Sequence, residues 1–233
     1  MSNASDEIST HILELGLGAL AHANWHANFT TYSPESRYWP ELSVLQAAHA
    51  GELLIKAKIA EEHPLLIFEH LPKASSSEET LSLQSLIENG RTYQFYDLPD
   101  RLWATTGMRL PAIGKYREFG KLRNTLQHFR TPPGVDFTAR TIEFIYQIID
   151  PFIQEAWGLY AIDYCEDYEG PTYLVDTLVS RGALFLVSSE STKYIDFDRL
   201  DWSKADTSYR AEMERRFAEA AQQRLSRTNS EPL

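Results

Sequence analysis

Arg123, Asn124 and His128 fall close together in the stretch GKYREFGKLRNTLQHFR, Gly114 to Arg130. These residue types suit work on a phosphate. An ordinary histidine has a pKa of about 6.5, so it can give or take a proton near neutral pH. A guanidinium can stabilise charge that develops on a phosphate oxygen. The stretch also has a helical period. Phe119, Leu122, Leu126 and Phe129 recur at i, i+3, i+7 and i+10, a stripe expected to face a core. At about 100° per residue, Arg117, Lys121, Asn124 and His128 project from the other side, with Arg123 on the flank. Thr131-Pro132-Pro133-Gly134 stops the helix and leaves His128 in its last turn. Each residue also has a plainer role: Arg123 as an ion-pair partner, His128 as a cation favoured at a helix C-terminus, Asn124 as an ordinary surface side chain.

The elements that must hold this helix read as mainly α-helical. After a polar leader, Met1 to Asp6, a helix is expected over about 8–29, with Ser9 or Thr10 opening it and Ile12, Leu15, Leu20 and Trp25 on its apolar side. Thr30 to Pro40 reads as a loop. A long helix follows from Glu41 to His63, where Pro64 ends or kinks it. Its stripe of Leu45, Ala48, Glu52, Ile55 and Ile59 places one carboxylate where an apolar residue belongs. Pro72 to Glu79 is a polar loop, and Thr80 to Asn89 a short helix closed by Asn89-Gly90. Arg91 to Leu110 is expected to be mainly irregular, with one helical turn beginning at Leu98-Pro99-Asp100. Its Tyr93, Phe95, Tyr96 and Trp103 either stack on bases or seal a helical core, the second being the commoner use. Phe137 to Tyr164 is helical with a kink at Asp150-Pro151. Cys165 to Pro171 reads as a solvated acidic loop, with Mg²⁺ binding the alternative. Thr172 to Phe197 is expected to be helix, Ala205 to Leu225 a charged helix, and Arg227 to Leu233 a disordered tail.

The Arg-Asn-x-x-x-His spacing resembles the signature of the HEPN superfamily (higher eukaryotes and prokaryotes nucleotide-binding), many members of which are metal-independent ribonucleases. The helix Leu45 to Phe68, the segment RTYQFYDLPDRL from Arg91 to Leu102, and the helix after Phe137 are similar to the elements that surround that motif. The resemblance covers about 41–163. It implies an antiparallel helical bundle; the N-terminal helix over 8–29 and the C-terminal elaboration at 172–225 lie outside it, and length and composition favour one domain over 1–233. It also implies an endoribonuclease needing no cofactor: the ribose 2′-hydroxyl attacks the adjacent phosphate, His128 transfers a proton, Arg123 stabilises the phosphate and Asn124 orients the site. The products are a 2′,3′-cyclic phosphate and a 5′-hydroxyl. In such a bundle Glu52 is expected to hold Arg123, the alternatives being a carboxylate that reaches solvent or pairs elsewhere. Lys115, Arg117, Lys121 and Arg130 would bind RNA. One position departs from the family: where nucleotidylated members carry a tyrosine two residues beyond the histidine, this chain has Arg130, which puts that regulation in doubt.

The formal net charge of −11 argues against a protein that coats nucleic acid without specificity. It leaves room for a local site, because Lys115, Arg117, Lys121, Arg123 and Arg130 face only Glu118 within the stretch. Cys165 is the only cysteine, which excludes an intramolecular disulfide and suits a reducing compartment. No signal-like leader or long apolar run appears, so a cytoplasmic protein without membrane contact is expected. His22 and His26 have i, i+4 metal-ligand spacing, but Ala-Asn-Trp lies between them, without the glutamate of a zinc hydrolase; two non-ligating histidines, and no metal, are the expectation.

Arg123 and His128 stand about 140° and roughly 7.5 Å apart on a regular helix, an awkward pair for one phosphate. A homodimer with a shared cleft would cure this, since a two-fold axis sets the same patch of each copy opposite the other. A non-catalytic RNA or nucleotide binder, and an interaction module docking an antitoxin or defence-system protein, are the other classes the sequence leaves open.

Overall fold

The computed structural model describes residues 2–29, 34–73, 83–129, 131–167 and 170–228. Among these, the chain is mainly α-helical: α1 (Ser2–Asn28), α2 (Trp39–Glu62), α3 (Leu83–Asn89), α4 (Leu98–Thr106), α5 (Ile113–His128), α6 (Phe137–Phe144), α7 (Asp150–Trp157), α8 (Thr172–Ser180) and α9 (Thr207–Thr228). Two short strands, β1 (Phe68–His70) and β2 (Arg91–Thr92), pair antiparallel. The chain divides into two compact units. The first comprises Met1–Gly16 and Glu52–Arg109, the second Leu17–Gly51 and Leu110–Leu233.

In the first unit the two long helices approach closely. A Cβ at Gly16 would lie 3.0 Å from the Leu54 side chain, so glycine permits the contact. Leu54, Ile55 and Ile59 are buried here, as are Leu98 and Leu102 of α4. Arg101 Nε donates to the Leu66 carbonyl at 2.9 Å and ties α4 to the 3₁₀ turn before β1. Of the aromatics in this stretch Phe95 is buried, as a core seal should be, whereas Trp103 is half exposed beneath the Arg109 guanidinium. α4 runs well beyond the single turn expected.

The second unit packs α5 on α6. Phe119 stacks on Phe144 with ring centroids 4.0 Å apart, and Tyr116 lies fully buried beside them. Ser43 and Thr141 share a buried hydrogen bond of 2.8 Å, and a Cβ at Gly51 would meet the Phe144 ring at 3.0 Å. Between α6 and α7, Ile145–Ile149 form a π-helical turn. Its cause is Pro151, which has no N–H for the Gln147 carbonyl and whose ring would clash with it; the widened turn absorbs the misfit.

A buried polar network fastens two irregular segments to this helix. Each oxygen of the fully buried Asp150 accepts one backbone N–H, from Ala161 and from Leu186, both at 2.8 Å. Asn24 donates to the Ala161 and Tyr164 carbonyls and accepts from the Tyr146 hydroxyl. Burial outweighs the two donors and pushes the Asp150 carboxyl up to about 7. Burial, then the nearby Asp150, raises the Tyr146 phenol as well.

Three boundaries differ from the sequence reading. α1 starts at Ser2, because a helix once nucleated adds a hydrogen bond for each further residue. Over Thr172 to Phe197 the α-helix reaches only Ser180: Gly182 turns left-handed at φ 67°, the apolar run after it is irregular, with the Leu186 N–H donated to Asp150, and a 3₁₀ turn follows at Ser191–Lys193. β1 and β2 have no counterpart in the sequence reading. The loop expected over Pro72 to Glu79 and the tail Arg227 to Leu233 lie largely outside the described residues.

Candidate functional site

α5 enters through a strained residue. Ala112 adopts φ 48° and ψ 45°, the left-handed region that costs an L-residue roughly 1–2 kcal/mol, and its carbonyl accepts from Lys115 and Tyr116. The helix then divides into two halves. Tyr116, Phe119 and Gly120 are buried, whereas no residue from Lys121 to Phe129 is. The apolar stripe expected to face the core therefore does so only at Phe119. Leu122 and Leu126 are half-buried, and Phe129 is 85% exposed. The chain leaves helical geometry at Phe129, with φ −128° and ψ −82°, before it reaches the prolines.

The exposed half carries the three residues singled out by type. Arg123 Nη1 donates to Asn124 Oδ1 at 3.1 Å. Asn124 and His128 are four residues apart and so lie one above the other on one helix face. The guanidinium thus bends off its flank toward the face that His128 shares with Asn124, which shortens the angular gap of the bare helix. The His128 side chain is exposed and has no hydrogen-bond partner among the described residues. Arg123 and Asn124 are half-buried.

The residues expected to bind RNA fare differently. Lys121 and Arg117 are exposed. Lys115 donates to Glu143 Oε1 and to Gln147 Oε1, both at 2.6 Å, so its charge is offset within the second unit. Arg140 closes the same network, donating to Glu143 at 3.0 Å and to Glu118 at 3.3 Å. Arg130 lies outside the described residues. Glu52 receives the Lys56 ammonium at 2.6 Å, one turn further along α2, and Thr92 accepts from that ammonium at 3.0 Å; Arg123, which Glu52 was expected to hold, belongs to the second unit. An i, i+4 lysine was present in the sequence; its burial on the helix was the missing information.

His22 Nδ1 lies 2.8 Å from Glu166, and His26 packs on Trp39 with centroids 5.3 Å apart. Burial, then the neighbouring His22, lowers the His26 pKa. Among the described residues no group of three or more His, Cys, Asp or Glu side chains is placed to hold a metal ion. No described helix is long and apolar enough to cross a membrane.

Asp150 and Asn24 carry more of the second unit's polar chemistry than sequence reasoning assigned them. Asp150-Pro151 was read only as a kink. A carboxylate inside an apolar helix face, flanked by Ile149 and Phe152, was the signal that a buried acceptor was needed. Compared with known protein families, curated proteins and solved structures, the chain matches none.

Proposed function

We propose that the protein is a metal-independent endoribonuclease of HEPN type, working in a defence or toxin-antitoxin setting, with Arg123, Asn124 and His128 as its catalytic set. One observation carries the reading. An exposed imidazole with no hydrogen-bond partner among the described residues stands one turn from an amide that already engages a guanidinium, all on a half-helix that buries no side chain fully. In the reaction the 2′-hydroxyl loses its proton to a base, its oxygen bonds the phosphorus, and the 5′ oxygen leaves with a proton from an acid. Arg123 offsets charge on the non-bridging oxygens, and Asn124 holds Arg123 in place. One histidine per helix supplies one of the two proton transfers. A second copy across a two-fold axis supplies the other, so the working unit is a homodimer.

Exposed Lys121 and Arg117 extend a cationic path for the RNA along the helix. The test is incubation with single-stranded RNA in the presence of a chelator. Cleavage should leave 2′,3′-cyclic phosphate ends, and His128→Ala should fold normally yet lose activity by at least about 100-fold, the usual worth of a general acid or base. A requirement for Mg²⁺, or an active His128→Ala variant, would sink the reading.

A second reading is favoured by Phe129, which stands in solvent beside the half-buried Leu122 and Leu126. In that reading the end of α5 docks a partner protein, an antitoxin or defence-system component, or binds RNA without cutting it. RNA that is retained but uncleaved by the wild-type protein would select it.

A further inference from the structure

The second unit also holds a cleft of about 580 Å³, bounded by α6 with the π-turn and by the turn that follows α8. That volume lies within the usual range of small-molecule sites. Ile142 and Tyr146, both buried, and the half-exposed Leu184 give it an apolar lining.

Its polar groups matter by what they have left to offer. Both oxygens of Glu143 are taken, one by Lys115 and one by Arg140. Lys115 also donates to Gln147, and since an ammonium can only donate, the amide oxygen must face it. The Gln147 NH₂ therefore points the other way, with no acceptor among the described residues. Arg181, the residue that closes α8, is exposed, and its side chain has no ion-pair or hydrogen-bond partner among them. Asp136 is the remaining carboxylate, with one oxygen spent on the Ala139 N–H at 2.9 Å. The unspent capacity is thus mostly donor, led by a whole guanidinium.

We propose that this cleft binds a small phosphate ester, its phosphate held by Arg181 and Gln147 and its organic body packed on Ile142, Tyr146 and Leu184. Arg181 and Gln147 come from different walls. Donors that arrive from two walls suit a tetrahedral phosphate, whose three non-bridging oxygens point in different directions. The site is separate from Arg123, Asn124 and His128 and does not rest on the ribonuclease reading.

Titration calorimetry of the full chain with 5′-AMP and glucose 6-phosphate, each beside adenosine or glucose, tests this. Each ester should bind at least about tenfold more tightly than its unphosphorylated parent, and Arg181→Ala should remove that advantage, as expected for loss of a charge-assisted hydrogen bond. Gln147→Glu should weaken the esters further by placing an acceptor against the phosphate. Arg199→Ala, a change at an exposed arginine paired with Asp196, should bind as the wild type does. Esters no tighter than their parents, or an Arg181→Ala variant that keeps the preference, would overturn the assignment. His128→Ala should retain ester binding; its loss there would move the ligand to α5 and equally refute the cleft.

Discussion

At the residue scale the most exacting position is Asp150. Desolvation raises its carboxyl from an ordinary 3.8 to about 7 against the pull of two backbone donors. A raised folded-state value means that the fold prefers the protonated carboxyl. The stabilising contribution is complete below about pH 4 and is lost as pH rises through 7. The wild-type protein should therefore melt at a higher temperature at pH 5 than at pH 8, beyond what Asp150→Asn shows. The amide cannot ionise, and it leaves one of the two backbone N–H groups unsatisfied, so the variant should be weaker at pH 5 by roughly 1–3 kcal/mol. Parallel melting profiles for the two proteins between pH 5 and 8 would show that Asp150 does not titrate in this range.

At the element scale α5 is a helix with two characters. Its first half is a packing element held by Tyr116 and Phe119, and its second half stands clear of the core. The strain at Ala112 belongs to the first half. Ala112→Gly should relieve about 1 kcal/mol of left-handed strain, partly offset by the larger unfolded-state entropy of glycine. The melting temperature should stay level or rise, whereas Ala112→Val should lower it, because a β-branched residue tolerates positive φ least. A clear drop for the glycine variant would mean that the left-handed turn carries no strain. Neither change should alter RNA cleavage if the catalytic set lies in the second half.

At the scale of the whole molecule, the proposed ribonuclease reading asks a chain of net charge −11 to bring a polyanion to a small cationic surface. The proposed pairing of two copies along the second half of α5 would double that surface and cover Leu122, Leu126 and Phe129 at the same time. Mixing wild-type with His128→Ala subunits should give mixed dimers that retain no more than about 1% of the wild-type activity, because each cleavage draws one histidine from each copy. Full activity in a preparation that light scattering shows to be monomeric at the assay concentration would rule out the shared site.

Local periodicity and turn chemistry were enough to establish the helices. Heptad-like spacing placed α2, and Asp150-Pro151 marked a break that the structure resolves as a π-turn. The residue types suited to phosphate chemistry were equally plain from Arg123, Asn124 and His128. What required tertiary structure was the outcome of competition between partners distant in sequence or close on a helix. Glu52 went to Lys56 because one helical turn brings the ammonium to it at no chain-closure cost. The stripe on α5 ends at Phe119 because only the first half of the helix meets Phe144, and no pattern within α5 records the length of its neighbour. The run after Gly182 leaves the helix where a buried carboxylate 36 residues before Leu186 accepts its backbone N–H. Hydrophobic period is a property of one segment, whereas burial, ion pairing and the cleft beside Arg181 depend on which segments meet.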